Sequence, residues 1–252
     1  MDPHDTLERL IPAKVHDGDL AAAESLALHR ERYEFAATQA STGPLLDMAC
    51  GVGYGTRLIA DRRADLNDLT GVDISPEAIR YARAHYASGA GTAIRYVEHD
   101  AMTFTGDGAQ QTNFRTIVSL ETIEHLPEPD RFFAHLTRLL SPGGVLVASV
   151  PVTPSVDLNP HHLHDFTKRA FRSMGERNGL VEIAAETQIQ RVRLRDLWGS
   201  DRRFRRENLR PNLLSYYFSH PTAFMKRIAT TLRHGFANHY LTIAWKKGDS
   251  VQ

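Results

Sequence analysis

The chain has 252 residues, with 30 lysines and arginines balanced by 30 aspartates and glutamates. That balance gives no global attraction for nucleic acid or an anionic surface, and no apolar run approaches the length a bilayer span needs. The single cysteine, Cys50, excludes an internal disulfide, and the opening residues MDPHDTLERL carry acids and no apolar secretory core, so a cytoplasmic location is expected.

Residues 1–43 read as a helical cap, with Leu7, Leu10 and Ile11 on one face and a second segment from about Leu20 to Ala40. The most informative stretch follows, LLDMACGVGYGT from Leu45 to Thr56: a short apolar strand, an acid at Asp47, and glycines at positions 51, 53 and 55. Physically this is a buried strand, a tight turn in which a Cβ would obstruct a ligand, and a helix whose free N–H groups face that ligand. Leu69–Ile74 reads as a second strand ending in Asp73, which lies 22 residues after Gly51 and is placed to take ribose hydroxyls. Ser75-Pro76-Glu77 then has the cap, the first-position proline and the first-turn acid of a helix start. Ile94–Asp100 reads as a third strand ending in an acid and Phe114–Leu120 as a fourth, and Asp130–Leu140 is an amphipathic helix that Ser141-Pro-Gly-Gly144 stops. Val145–Val150 is a continuous apolar strand, and the alternation of buried strands with helices implies a parallel sheet. Val181–Ile189 and Tyr240–Lys246 are the last two strands. Between Arg191 and Arg210 stand eight arginines and three acids, a local charge of +5, followed by the aromatics Tyr216, Tyr217 and Phe218; Trp198 and Phe204 lie within the stretch.

A dinucleotide-binding enzyme uses the spacing G-x-G-x-x-G; here it is G-x-G-x-G, with an acid four residues before the first glycine. That variant resembles motif I of the class I methyltransferases, which bind S-adenosylmethionine, and LLSPGGVLVASVP is similar to their turn and strand after the fourth unit. The resemblance covers about residues 29–190. It implies a doubly wound, Rossmann-like α/β fold with a seven-stranded, mostly parallel sheet and an antiparallel last strand. The expected organisation is a cap at 1–43, a cofactor-binding core at 44–190, an arginine-rich insertion or lid at 191–238, and a last strand and tail at 239–252. It also implies cofactor contacts from Tyr33, Asp47, Ala49, Gly51, Gly53, Thr56, Asp73, Ile74, Asp100, Ala101, Met102 and Ser119. In the family Asp100 would meet the adenine amino group, and Tyr33 would lie over the methionine end.

The chemistry is expected after the fourth and fifth strands. If a helix starts at Glu121, then Glu121, Glu124 and His125 share one face at i, i+3 and i+4, a set suited to Mg²⁺ or Mn²⁺. This E-x-x-E-H resembles the metal site of ubiquinone-pathway catechol methyltransferases and of enzymes that methylate the 2′-hydroxyl at small-RNA 3′ ends. Asn159–Thr167 adds three histidines, of which His162 is the candidate fourth ligand, with His161 and His164 read as structural. Without metal, His162 or His125, with Glu124 beside them, would take the acceptor proton. The reading is an S-adenosylmethionine-dependent O-methyltransferase acting on a small acceptor that Mg²⁺ or Mn²⁺ would orient, with a sugar, glycoside or natural-product scaffold placed ahead of a quinone precursor. The arginines suit an anionic acceptor, and a homodimer through the cap or insertion is compatible with the sequence. Alternatives are an RNA 2′-O-methyltransferase, which the neutral charge disfavours, an amino-sugar N-methyltransferase working without metal, and a non-catalytic cofactor-binding subunit.

Overall fold

The structure is a computed structural model that describes residues 11–15, 20–89, 92–106, 113–191, 210, 212–235 and 237–249. Seven strands form one sheet: β1 (Leu45–Met48), β2 (Leu69–Asp73), β3 (Ile94–Glu98), β4 (Phe114–Leu120), β5 (Leu140–Pro151), β6 (Leu180–Arg191) and β7 (Ala237–Lys247), in the order β3-β2-β1-β4-β5-β7-β6. Strands β1 to β5 pair in parallel, and β7 runs antiparallel to both β5 and β6. The expected seven-stranded, doubly wound sheet is therefore present, with its chain order reversing between β1 and β4. Open sheets of this kind bind ligands at that reversal, beyond the carboxyl ends of the strands.

Two apolar layers cover the sheet because side chains alternate across it. In β1, Leu45 faces one layer while Leu46 and Met48 face the other. One layer is built by α1 (Leu20–Gln39), α2 (Tyr54–Arg62) and α3 (Pro76–His85), through Tyr33, Ala36, Ala37, Ile59 and Ile79. The other is built by α4 (Pro129–Leu139) and α5 (Lys168–Arg177). There Trp245 meets Phe133 and Phe171 edge to face, with ring centroids 5.3 and 5.1 Å apart. Phe171→Ala removes the fully buried ring at this junction and is expected to destabilise the fold by about 3–5 kcal/mol in urea unfolding. A loss below about 1 kcal/mol would mean the two helices do not depend on that contact.

The strand and helix starts follow local rules where the sequence makes them explicit. The Ser75 side chain accepts from the Ala78 N–H at 3.2 Å, with Pro76 in the first turn of α3. Four expectations change. Ile11 has extended backbone before a short 3₁₀ turn, Pro12–Lys14, so it is not part of a helix; Leu7 and Leu10 lie outside the described residues. The third strand ends at Glu98, because the N–H groups of Thr103 and Phe104 fold back onto the Asp100 carbonyl and make a turn there. Ser141–Gly144 do not separate helix from strand: α4 ends at Leu139, and β5 runs through them with a register shift and a positive φ of 68° at Gly143. No α-helix begins at Glu121; that residue has a φ of 50°, and only a 3₁₀ turn, Ile123–His125, follows.

Between β6 and β7 the described residues include α6 (Leu213–Ser219) and α7 (Pro221–His234). Most of the arginine-rich stretch, with Trp198 and Phe204, lies outside the described residues. Among the described residues no helix is long and apolar enough to cross a membrane.

Candidate active site

The glycine turn joins β1 to α2 at the sheet's reversal point. Ala49, Gly51 and Gly53 all have positive φ, at 65°, 56° and 86°, which sets the direction in which the chain leaves the strand. The glycines serve different ends. A Cβ on Gly53 would sit 2.7 Å from the Ala82 Cβ, and one on Gly55 would sit 2.0 Å from the Tyr33 ring, so both permit close packing. A Cβ on Gly51 would meet nothing within 4 Å. The packing of this chain does not require that glycine's bareness; a ligand lying against the backbone would.

Asp47 anchors the turn from beneath. It is fully buried, and its carboxylate accepts from the Thr56 hydroxyl at 2.6 Å and the Tyr33 hydroxyl at 3.1 Å. Burial pushes its pKa up to about 7, against the opposing pull of those two hydrogen bonds. An unfolded aspartate ionises near its ordinary value of 3.8, so the native state holds the extra proton between there and about 7. Stability contributed by Asp47 is therefore expected to fall as pH rises through that window, and Asp47→Asn to flatten the slope. Denaturant melts at several pH values measure this, and an unchanged slope in the variant would remove Asp47 as its source.

Asp73 stands at the end of β2, where its carboxylate accepts from the Gly51 N–H and the Ser75 N–H, each at 2.9 Å. These bonds tie the acid to the glycine turn itself. Beside it Ile74 leaves 40% of its surface exposed, although its chain neighbours Asp73 and Ser75 are buried. Asp100 is exposed in the turn after β3, with its Oδ1 accepting from the Met102 N–H at 2.8 Å, and Ala101 and Met102 pack partly buried beside it. Ser119, near the end of β4, is fully buried, and its hydroxyl finds no hydrogen-bond partner among the described residues. Tyr33 is held inside the protein, its ring against Gly55 and its hydroxyl on Asp47, so it reaches the turn's outer surface only through Asp47.

The turn after β4 divides the expected ligand set. Glu124, His125 and His162 come together, each offering a ligand atom within 4.8 Å of the others'. Glu124 is fully buried, and its backbone carbonyl accepts from the N–H groups of Leu163 and His164 at 2.8 and 3.3 Å, which fastens the histidine-bearing loop to this turn. His125 donates Nδ1–H to the His161 carbonyl at 3.1 Å, so its Nε2, 3.9 Å from Glu124, carries the lone pair. His162 packs edge to face on His125, with centroids 4.8 Å apart, and its Nδ1 hydrogen-bonds the Ser155 hydroxyl at 2.6 Å. Burial lowers the pKa of both rings; for His162, with His125 adding to the effect, it falls to about 3. Both are neutral at pH 7. His161 joins through its carbonyl, with its ring near enough to help lower the pKa of both histidines, and His164 lies against Phe166 outside the group.

Glu121 stands outside this set. Its carboxylate accepts from the Ser149 hydroxyl at 2.6 Å and lies 3.6 Å from Arg32, and its own N–H donates to the same Ser149 oxygen at 3.1 Å. The helical spacing expected to align it with Glu124 and His125 does not exist, because the backbone reverses at the positive φ of Glu121. Arg32 was not singled out from the sequence. It is buried, donates to Gln188 of β6 at 2.7 Å and stacks over Tyr240 of β7 at 4.2 Å. Nor were His29 and Tyr54, whose hydrogen bond closes the space between α1 and the glycine turn. No sequence-local pattern marks these pairs, since each partner lies far along the chain.

Residues 45–144 match a family described as "Methyltransferase domain". A "Ubiquinone biosynthesis O-methyltransferase" of Xanthomonas oryzae pv. oryzae is 26% identical over 185 residues, covering 66% of this chain and 74% of that protein. Magnesium protoporphyrin IX methyltransferase from Synechocystis PCC 6803, solved with bound S-adenosylhomocysteine, shares the fold with a TM-score of 0.61 at 14% identity, covering 97% of this chain and 94% of that one. So does the [4+2]-cyclase SpnF, with a TM-score of 0.60 at 18% identity over 93% and 86% of the two chains. The shared fold therefore does not by itself name the reaction. The fold is shared with solved methyltransferases, and residues 45–144, which include the glycine turn, match a methyltransferase domain.

Proposed function

We propose that the enzyme transfers the methyl group of S-adenosylmethionine to a hydroxyl oxygen of a small acceptor, assisted by a divalent metal held by Glu124, His125 and His162. The observation that carries this reading is the convergence of those three side chains at the end of β4, the strand beside the glycine turn. The cofactor would lie along the bare backbone at Gly51, with Asp73 toward the ribose and Ile74, Asp100, Ala101 and Met102 around the adenine. Ser119 offers a buried hydroxyl that still lacks a partner among the described residues.

The donor set favours one metal class. Two imidazoles and one carboxylate suit Mn²⁺, Fe²⁺, Co²⁺ or Zn²⁺, whereas Mg²⁺ prefers a set of oxygens that Glu121 would have had to complete. A metal in this position would lower the pKa of a coordinated acceptor hydroxyl. The residues supply the rest. Glu124 would contribute a buried carboxylate, and both imidazoles keep unprotonated nitrogens at neutral pH. The protein must hold the acceptor oxygen in line behind the methyl group, at about 3–3.5 Å. His162 alone would be a feeble base, since a group with a pKa of about 3 accepts a proton poorly at pH 7.

An acceptor that is already an amine would not need this cluster, so the cluster favours oxygen over nitrogen. The similarity to a ubiquinone biosynthesis O-methyltransferase supports O-methylation, and a hydroxylated ring or glycoside is the acceptor class we infer. The test is a panel of phenols, glycosides, amino sugars and RNA, incubated with methyl-labelled S-adenosylmethionine and EDTA-treated enzyme. Transfer to a hydroxylated small molecule that Mn²⁺ restores is expected. Transfer confined to amines or RNA, or indifferent to EDTA and Mn²⁺, would overturn the proposal.

A further inference from the structure

His162 sits on the loop between β5 and α5; residues 161–164 of that loop are tied to the turn after β4, whereas residues 154–158 and Asp165 are tied to the insertion. Arg227 of α7 clasps the Asp157 carboxylate through two guanidinium nitrogens and donates to the Pro154 carbonyl at 2.6 Å. Tyr217 of α6 donates to the same carboxylate at 2.6 Å. Arg210 donates to the carbonyls of Val156, Asp157 and Leu158 at 3.1, 3.2 and 2.6 Å. Lys226 pairs with Asp165 at 2.6 Å, and the other oxygen of Asp165 accepts from the backbone N–H of Ser155 at 2.7 Å. Ser155 in turn holds the His162 ring through its hydroxyl.

These bonds differ in weight. Lys226 is largely exposed, and such a pair contributes little. Arg227 and Asp157 are mostly buried, at 17% and 13% side-chain exposure, and a forked guanidinium–carboxylate pair fixes direction as well as distance. Breaking it leaves a buried carboxylate beside the turn that carries Ser155.

We propose that Arg227 is a positioning residue for His162: it fixes the 154–158 turn, so that Ser155 holds the imidazole ring in one orientation toward Glu124 and His125. The insertion is then part of the active-site support. This deepens the reading of the cluster above and rests on His162 belonging to it.

The test is nitrogen NMR of the full chain labelled with ¹⁵N-histidine, at one pH, with His162→Asn identifying the His162 signals. In wild type the His162 ring nitrogens are expected to report one tautomer. Arg227→Met is expected to average them, as Ser155→Ala does, and Arg227→Lys to restore part of the wild-type pattern. His135, which bonds the Phe104 carbonyl elsewhere in the fold, is the internal control and is expected to stay unchanged. The variant should also weaken Mn²⁺ binding on the order of tenfold to a hundredfold, as loss of a supporting bond does at other metal sites, with S-adenosylhomocysteine affinity kept. His162 signals that shift in Ser155→Ala but not in Arg227→Met would overturn the proposal. If wild type binds no Mn²⁺, the metal reading fails by itself, and the ring signals still decide whether Arg227 positions His162.

Discussion

Gly51→Ala is expected to leave the protein folded and to abolish S-adenosylhomocysteine binding, while Gly53→Ala is expected to lose the fold. Both glycines have positive φ, so each substitution costs about 1–2 kcal/mol in backbone strain. Their surroundings separate them. The new methyl group at position 51 enters empty space on the outer side of the turn, whereas at 53 it falls 2.7 Å from Ala82 and 2.8 Å from the Tyr96 ring. Tyr96 cannot retreat freely, because it is buried and its hydroxyl donates to the Gly53 carbonyl at 2.8 Å. Thermal unfolding with and without S-adenosylhomocysteine reads both effects. Ligand at a hundred times its dissociation constant stabilises the native state by about 2.7 kcal/mol. Wild type should gain that increment; Gly51→Ala should melt slightly earlier and gain nothing. A Gly51→Ala protein that keeps the full increment would mean the cofactor does not lie against this backbone.

Glu124→Gln is expected to reduce methyl transfer by on the order of 10²–10³-fold with cofactor affinity retained. Glutamine keeps the side-chain volume in a fully buried position, and the backbone carbonyl that holds Leu163 and His164 is untouched. What disappears is the carboxylate that would face a metal beside His125 and His162, and such charge stabilisation is worth several kcal/mol. Glu121→Gln is the informative contrast. It loses the ion pair with Arg32 and weakens the tie to Ser149, both at the sheet end of the turn, so its effect on turnover should be the smaller. Steady-state rates of the two variants against wild type measure the difference. Equal losses would return Glu121 to the ligand set.

What the sequence made legible was local. The strand–glycine–helix unit at Leu45–Thr56, the acid at Asp73 and the cap at Ser75 depend on neighbours within a few residues, and the structure forms all of them as expected. The parallel pairing of the sheet follows from the same alternation, whereas its seven strands and antiparallel last strand are what the family resemblance implies. The arrangement after β4 was not legible, because it is decided at a distance: Glu121 turns toward Ser149 and Arg32, which lie 28 and 89 residues away in the chain. A helical wheel places Glu121 beside Glu124 and His125 only if the backbone is helical there, and its positive φ breaks that premise. The density of histidines at 161–164 flagged the loop, but which ring joins Glu124 depends on the Ser155 bond and on helices from the insertion. Tyr33 illustrates the same limit. Its aromatic ring was expected over the cofactor, and its position behind Gly55 follows from packing that no local pattern encodes.

The most direct test of the central claim is a crystal structure grown with S-adenosylhomocysteine and Mn²⁺, with anomalous data collected for manganese. The nucleoside is expected along Gly51 toward Asp73 and Asp100, with an anomalous peak bounded by Glu124, His125 and His162. Cofactor bound there without a peak, or with a peak at another set of ligands, would contradict the metal-assisted mechanism; cofactor absent from the glycine turn would contradict the account as a whole.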